Sequence, residues 1–332
     1  MKEIVTLDHG SGGLRTSELI EQVLLPAYGN AALNELGDGA VLSDLGGSPV
    51  FSTDSFVVTP WRFPGGNIGK LAVCGTINDV CMAGGEPKYL SLALILEEGF
   101  AMDDLREIVA SAAETAKACG VQIVTGDTKV VERGHVDGIY INTAGIGVLR
   151  AHGLGRSAIR PGDAVLVSGS VGCHGAAVMM ARGDIPCEGT LLSDCCPLHA
   201  LSKAALDAGG VRILRDPTRG GVATTLNEFV EHGPFCIELE EDAIPVDPAV
   251  AAACDLLGLD PLYAACEGRM LAVVDPTCVD AVLSALHALP GGEGAVQIGR
   301  VTTARPGQVM LNAAFGSRIL SKLTGAQLPR IC

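Results

Sequence analysis

The chain is poor in aromatic residues, with one Trp, four Tyr and seven Phe in 332 positions. Its core must therefore be built mostly from Ala, Val, Leu and Ile; the 48% hydrophobic content is typical of a globular protein, and 332 residues are long enough for two domains of common size. It has no run of Lys or Arg and a net charge of −15, which argues against a nucleic-acid backbone as the main partner. Anionic small substrates remain compatible, because a divalent cation inverts local charge. The opening MKEIVTLDHG has no apolar h-region, so no signal peptide is expected. The apolar stretch YLSLALIL is too short to cross a bilayer. The expected location is cytoplasmic, where the twelve cysteines would be reduced. No C-x-x-C occurs, and Cys195–Cys196 and Cys173–His174 lack partners at zinc spacing. A P-loop is missing too. GGNIGKL has Pro64 where the first Gly belongs and Leu71 where Ser or Thr belongs, and no Rossmann fingerprint follows a strand.

Glycine, by contrast, is abundant: 43 residues, against a usual share of about 7%. The glycines lie between apolar runs, which suits many tight turns and backbone-lined sites. Up to about residue 150, the stretches 50–58, 89–98, 121–128 and 138–149 read as strands. Residues 17–28 and 103–120 read as helices. In the second, Leu105, Ile108, Val109, Ala112, Ala116 and Cys119 recur at helical spacing. IRPGDAVLVSGSVG looks like a fresh start, placing a domain boundary near 150–160. Beyond it, helical patterns (196–209, 218–233, 247–258, 278–289) alternate with strand-like runs (236–241, 268–275, 295–302), as in a layered α+β or α/β domain. The expected division is 1–155, 156–312 and a tail 313–332.

Acids interrupt the apolar runs of the first half. Asp38 lies in LGDGAVL, Asp54 in FSTDSFVV, Asn78 and Asp79 in TINDVCMAGGEP, and Asp127 with Lys129 in VTGDTKVVERG. Read singly, each Asp is a turn residue at a strand end. If they converge, two carboxylates about 4 Å apart repel by roughly 4 kcal/mol at an effective dielectric near 20, and a cation must hold them. Hard oxygen ligands favour Mg²⁺, which commonly bridges carboxylates to nucleotide phosphates. Gly10, Ser11, Gly12 and Gly13 could add backbone donors for an anion. His9 is either a phosphate or ribose contact or a satisfied structural residue. In an extended segment Asp127 and Lys129 share a face. The chain ends in PRIC, so Cys332 is a thiol on a terminus. An exposed thiol invites oxidation, so this is either an accident of where the chain stops or a placement with a reason.

The segments DHGSGG, GDGAV, STDSFVV, INDVCMAGGEP, TGDTKVVERG, DPTRGG, CEGRM and PRIC occur in this order across nearly the whole chain. In them the chain resembles the HypE family, the carbamoyl dehydratases of nickel–iron hydrogenase assembly. Wider relatives are aminoimidazole ribonucleotide synthetase, selenophosphate synthetase and thiamine-monophosphate kinase. The acidic segments are common to that superfamily, whereas PRIC with GDTKVV separates this member. Val222 after DPTRGG and Glu132 in VVERG depart from the pattern without removing a competent group.

The resemblance implies a two-domain aminoimidazole ribonucleotide synthetase-like fold, α+β and α/β, whose N-terminal strands form a barrel at a homodimer interface. It implies ATP and Mg²⁺ held by Asp38, Asp54, Asp79 and Asp127, with Asn78, His9, Gly12 and Gly13 also at the nucleotide. Cys332 would accept a carbamoyl group from a HypF carbamoyltransferase. ATP-driven dehydration would give a thiocyanate, whose cyano group passes to a HypC–HypD iron scaffold. Glu267 would take the amide proton, although by residue type alone it reads as a surface carboxylate. Lys129 would orient phosphate or carboxamide. From Gly325 to Cys332 the extended tail reaches at most about 26–29 Å, enough to enter and leave a nucleotide site.

Overall fold

The computed structural model describes residues 3–11, 14–36, 39–42, 45–183, 191–323 and 330–332. The first sheet has the order Pro49–Phe56, Ile139–Leu149, Gly85–Glu97, Gln122–Val131. Its first two pairings are antiparallel and the last is parallel. Each strand follows an expected one within a few residues. Alternation sets the faces: along Pro49–Phe56, Phe51, Thr53 and Ser55 point outward while Val50, Ser52, Asp54 and Phe56 turn inward. Helix Met102–Ala118 covers the inner side with Leu105, Ile108, Val109, Ala112 and Ala116, and Cys119 caps its end. The expected helix 17–28 begins earlier, at Leu14, and carries a π-helical turn at Ile20–Leu24.

The acidic segment TINDVCMAGGEP is not a strand edge. Asn78 and Asp79 belong to helix Ile68–Met82, in which 13 of 15 residues are buried. A helix covered on all sides carries no polar stripe, so its period is invisible in sequence. Asn67 caps its start by accepting from the N–H groups of Gly69 and Lys70. Gly69 lets it lie against the neighbouring helix, since a Cβ there would stand 2.2 Å from the Ile108 carbonyl oxygen. Asp54 and Asp127 are not turn residues either; both lie within strands.

The second sheet has seven strands, in the order Gly316–Leu320, Val309–Ala313, Cys236–Glu240, Val296–Thr302, Ala164–Val167, Leu271–Val274, Val211–Arg215. Only the Val309–Ala313 and Cys236–Glu240 pair is parallel. Helix Gly221–Val230 packs on one face. Helices His199–Ala208 and Val279–His287 contribute to a core shared with the first domain. Strands Val211–Arg215 and Gly316–Leu320 were not expected. The second of these occupies the start of the supposed tail, and its exposed side chains lack an alternating pattern.

The helix–helix contact is testable. Gly69→Ala is expected to lower stability by about 1–3 kcal/mol through overpacking, read from the midpoint of urea unfolding. Gly294→Ala, where a Cβ meets only ordinary contact at 3.6 Å, should leave that midpoint nearly unchanged.

Candidate functional site

The inner face of the first sheet meets the second domain at an acidic seam. Asp54 pairs across strands with Thr143, whose hydroxyl donates to the Ala72 carbonyl of the buried helix. Asp54 is thereby turned toward that helix. Two residues earlier, Ser52 Oγ donates to Asp79 Oδ2 at 2.7 Å. Burial raises the carboxyls of both Asp54 and Asp79; at Asp79 the nearby Asp54 adds to the rise. Asp216 enters from the second domain, just after strand Val211–Arg215. Burial, then Asp79, push its carboxyl up to about 7, with Asp54 adding a smaller push.

Glu267 completes this group. It is 2% exposed, so the surface reading fails. Burial drives its carboxyl well above the usual range, followed by Cys195, Asp216, Asp194 and Asp54. Its Oε1 has no hydrogen-bond partner, which is unusual for a buried carboxyl oxygen. Its main chain is fixed: the Glu267 N–H donates to Asp194 Oδ1 at 3.2 Å and the Glu267 carbonyl accepts from the Cys196 N–H. Next to it, Gly268 has no space for a side chain, since a Cβ would lie 1.8 Å from the Asp194 carbonyl oxygen.

The C-terminus is docked into the same seam. The Cys332 carbonyl accepts from the Val57 N–H at 3.0 Å and the Arg330 carbonyl from the Thr59 N–H at 3.2 Å. Ile331 is buried. Its carbonyl lies 2.5 Å from His174 Nε2. Arg330 donates to the Val57 carbonyl, pairs with Asp137 and lies over the Tyr140 ring. Burial pushes the Cys332 thiol up to about 12; Glu267 and Asp54 reinforce this and Arg219 opposes it. The thiol is therefore neutral and in the electrostatic reach of Glu267. Arg219 belongs to DPTRGG, where Gly220 and Gly221 both take left-handed φ (+78° and +58°) to open the helix that follows.

Other expected site residues lie elsewhere. Asn78 is 1% exposed; its Nδ2 donates to the Cys196 carbonyl and its Oδ1 accepts from the Leu198 N–H. It joins the two domains instead of facing a ligand. His9 Nδ1 accepts from the Thr6 N–H at 3.0 Å, in a capping box, which gives it a structural partner and puts the ring proton on Nε2. Asp127 and Lys129 share a face and form an ion pair, as the extended segment implies. The Lys129 hydrogen bond lowers the Asp127 carboxyl. They are on the far edge strand, however. Asp127 pairs with Ala93, Ala93 with Asn142, and Asn142 with Ser55, three strand spacings or about 14 Å. They face outward while Asp54 faces inward, so one chain does not bring Asp127 to Asp54 and Asp79. Asp38, Gly12 and Gly13 lie outside the described residues. Among the described residues no group of three or more His, Cys, Asp or Glu forms a ready metal cage. The donor set of hard carboxylate oxygens still suits Mg²⁺, which needs few protein ligands when phosphates and water supply the rest. Sequence reasoning missed Asp216, Arg219, Asp194 and His174. DPTRGG marked the first two without giving them a role, and no local pattern marks the others.

Residues 36–149 match the family described as AIR synthase related protein, N-terminal domain, and residues 160–312 its C-terminal domain. Carbamoyl dehydratase HypE of Rhizobium leguminosarum bv. viciae is 48% identical over 332 residues, covering 99% of this chain and 95% of the relative. A crystal structure of the hydrogenase maturation protein HypE in complex with ATP superposes with a TM-score of 0.94 at 45% identity, covering 98% of this chain and 99% of the other. A HypE–HypF complex matches with a TM-score of 0.80 at 43% identity, over 92% of this chain and 99% of the other. With relatives this similar aligned from end to end, the chain belongs to the HypE family of carbamoyl dehydratases of hydrogenase maturation.

Proposed function

We propose that this chain uses ATP to convert an S-carboxamide on Cys332 into a thiocyanate, as a source of the cyano ligand of a nickel–iron hydrogenase. The observation that carries this reading is the docking of the C-terminal thiol in a buried seam, within electrostatic reach of Glu267 and Asp54. An amide oxygen is a poor leaving group. Transfer of the γ-phosphoryl group to that oxygen releases ADP and makes the oxygen part of a phosphate. Both N–H protons then leave, the C–O bond breaks with phosphate departing, and C≡N remains on sulfur. The dry seam suits this order of events, since water would hydrolyse the activated carbamoyl carbon.

Glu267 is the base for an N–H proton, and its unpartnered Oε1 suits an incoming donor. In the unliganded chain it holds its own proton, so it acts after giving that proton up. Asp54 and Asp79 would hold Mg²⁺ together with Asp38, and the cation would supply charge neutralisation for the phosphates. Asp127 and Lys129 would join the site from a second copy. The outward face that carries them also exposes Phe51 and Ile95, 66% and 38% accessible, a surface suited to closing a barrel at a homodimer interface. A HypF carbamoyltransferase would load Cys332, and a HypC–HypD scaffold would receive the cyano group. Cytoplasmic location is supported by cysteines that are all unpaired among the described residues. No described helix is long and apolar enough to cross a membrane.

Replacing Glu267 with Gln tests the assignment. The variant should accept the carbamoyl group and bind ATP normally, while dehydration slows by about 10²–10⁴-fold. Mass spectrometry of the C-terminal peptide would then show the S-carboxamide persisting after ATP is added. Dehydration at the wild-type rate would place the base elsewhere.

The acidic seam also sets a pH dependence. A carboxyl whose pKa is higher folded than unfolded favours the folded state at low pH, and this advantage disappears as pH rises through the folded value. Asp216, near 7 when folded and about 3.9 unfolded, should make the unliganded protein less stable as pH rises from about 4 to about 7. Urea unfolding across this range is expected to show that slope, and Asp216→Asn to flatten it. Mg²⁺–ATP should raise the melting temperature more at pH 8 than at pH 6.

A further inference from the structure

His174 was given no role in the sequence and is fully buried at the start of helix Cys173–Ala181. Its ring packs edge-on against Phe63, with centroids 5.2 Å apart. Both nitrogens are engaged: Nδ1 with Ser193 Oγ at 2.8 Å and Nε2 with the Ile331 carbonyl at 2.5 Å. A carbonyl can only accept, so the ring proton is on Nε2, and Nδ1 must accept the Ser193 hydroxyl hydrogen. Ser193 Oγ in turn accepts the Cys195 N–H at 3.0 Å. Burial pushes the imidazole down to about 4, so this tautomer persists across the neutral range. The result is a directed chain in which each donor has one acceptor: Cys195 N–H to Ser193, Ser193 O–H to His174, His174 Nε2–H to the tail.

The two ends of that chain adjoin the two reacting residues of the proposed chemistry, Cys332 and Glu267. One end holds the carbonyl immediately before Cys332. The other is the segment 193–196, where Asp194 accepts the Glu267 N–H and the Cys196 N–H reaches the Glu267 carbonyl. The other tail contacts come from Val57, Thr59, Asp137, Tyr140 and Arg182. We propose that His174 is the positioning residue that latches the C-terminal tail in its docked state and sets Cys332 in register with Glu267. The proposal rests on the dehydratase reading for its consequence, but not for its geometry. If the tail leaves, as loading by a partner requires, Nε2–H loses its acceptor in a buried place, so the latch favours the docked state by about tenfold to hundredfold.

Two substitutions test this. His174→Phe keeps a ring against Phe63 and removes both hydrogen bonds. His174→Gln can donate to the Ile331 carbonyl and accept from Ser193. With fold checked by circular dichroism, the rate of Cys332 alkylation by iodoacetamide is read from the mass of the C-terminal peptide, without ATP. It should rise about tenfold to hundredfold in His174→Phe and stay near wild type in His174→Gln. In single-turnover dehydration of carbamoylated protein, His174→Phe should lower the rate at saturating ATP and leave the ATP concentration for half-maximal rate unchanged. Should His174→Phe fail to fold, Ser193→Ala serves instead and should raise alkylation in the same direction. Wild-type alkylation in the folded variant overturns the latch. Raised alkylation in His174→Phe, together with a wild type that shows no ATP-dependent loss of water, would uphold the latch and refute the dehydratase reading.

Discussion

Mutual repulsion among carboxylates held away from water is the constraint around which this molecule is organised. Asp54, Asp79, Asp216 and Glu267 come from a strand, a helix and two loops of two domains; burial raises the pKa of each, and Asp54, Asp79 and Asp216 each raise that of another member further. Such a cluster is costly to bury. It persists because rigid elements fix its members: the cross-strand pairing of Asp54, the Ser52 hydrogen bond to Asp79, and Asn78, which ties the central helix to the 196–198 backbone. Protonation relieves the repulsion in the unliganded chain. A cation and nucleotide phosphates would relieve it differently, and that difference couples ligand binding to proton release.

The tail enters a site prepared in this way. Its final three residues are held through their backbone carbonyls and through the Arg330 side chain, which reaches the Val57 carbonyl and Asp137. Ile331 supplies the apolar anchor, and the thiol beyond it stays neutral. A neutral thiol suits a residue that must receive its group elsewhere and return with it, because a free thiolate here would attack any electrophile reaching the seam.

Half-buried elements are readable in the sequence, and so is the short buried strand Leu271–Val274, whereas the fully buried helix Ile68–Met82 is not. Strands 50–58 and 138–149 alternate, and helix 103–120 has an apolar stripe, so their periods survive in the order of residues. Helix Ile68–Met82 is apolar all round and looks like a strand followed by a loop. Motifs located Asp54, Asp79, Glu267 and Cys332 along the chain, but not relative to one another. Asp127 illustrates the limit. Its motif places it with the other acids, yet three strand spacings and opposite facing separate it from Asp54 in one chain. His174 and Asp194 belong to no local pattern; their partners lie far along the chain or across the domain seam.

Gly268 shows how placement of the base is protected. Its Cα lies so close to the Asp194 carbonyl that main chain rests on main chain, and the adjoining N–H and carbonyl of Glu267 are hydrogen-bonded to the same segment. Beyond the Asp194 carboxylate and the Cys196 thiol, side chains contribute little to that joint. The surrounding Val, Leu and Ile can therefore exchange with one another over many generations, shifting a packing layer by tenths of an ångström, while the carboxyl keeps its place. The hydrophobic interior of the second domain is free to drift in sequence, and a single glycine is not.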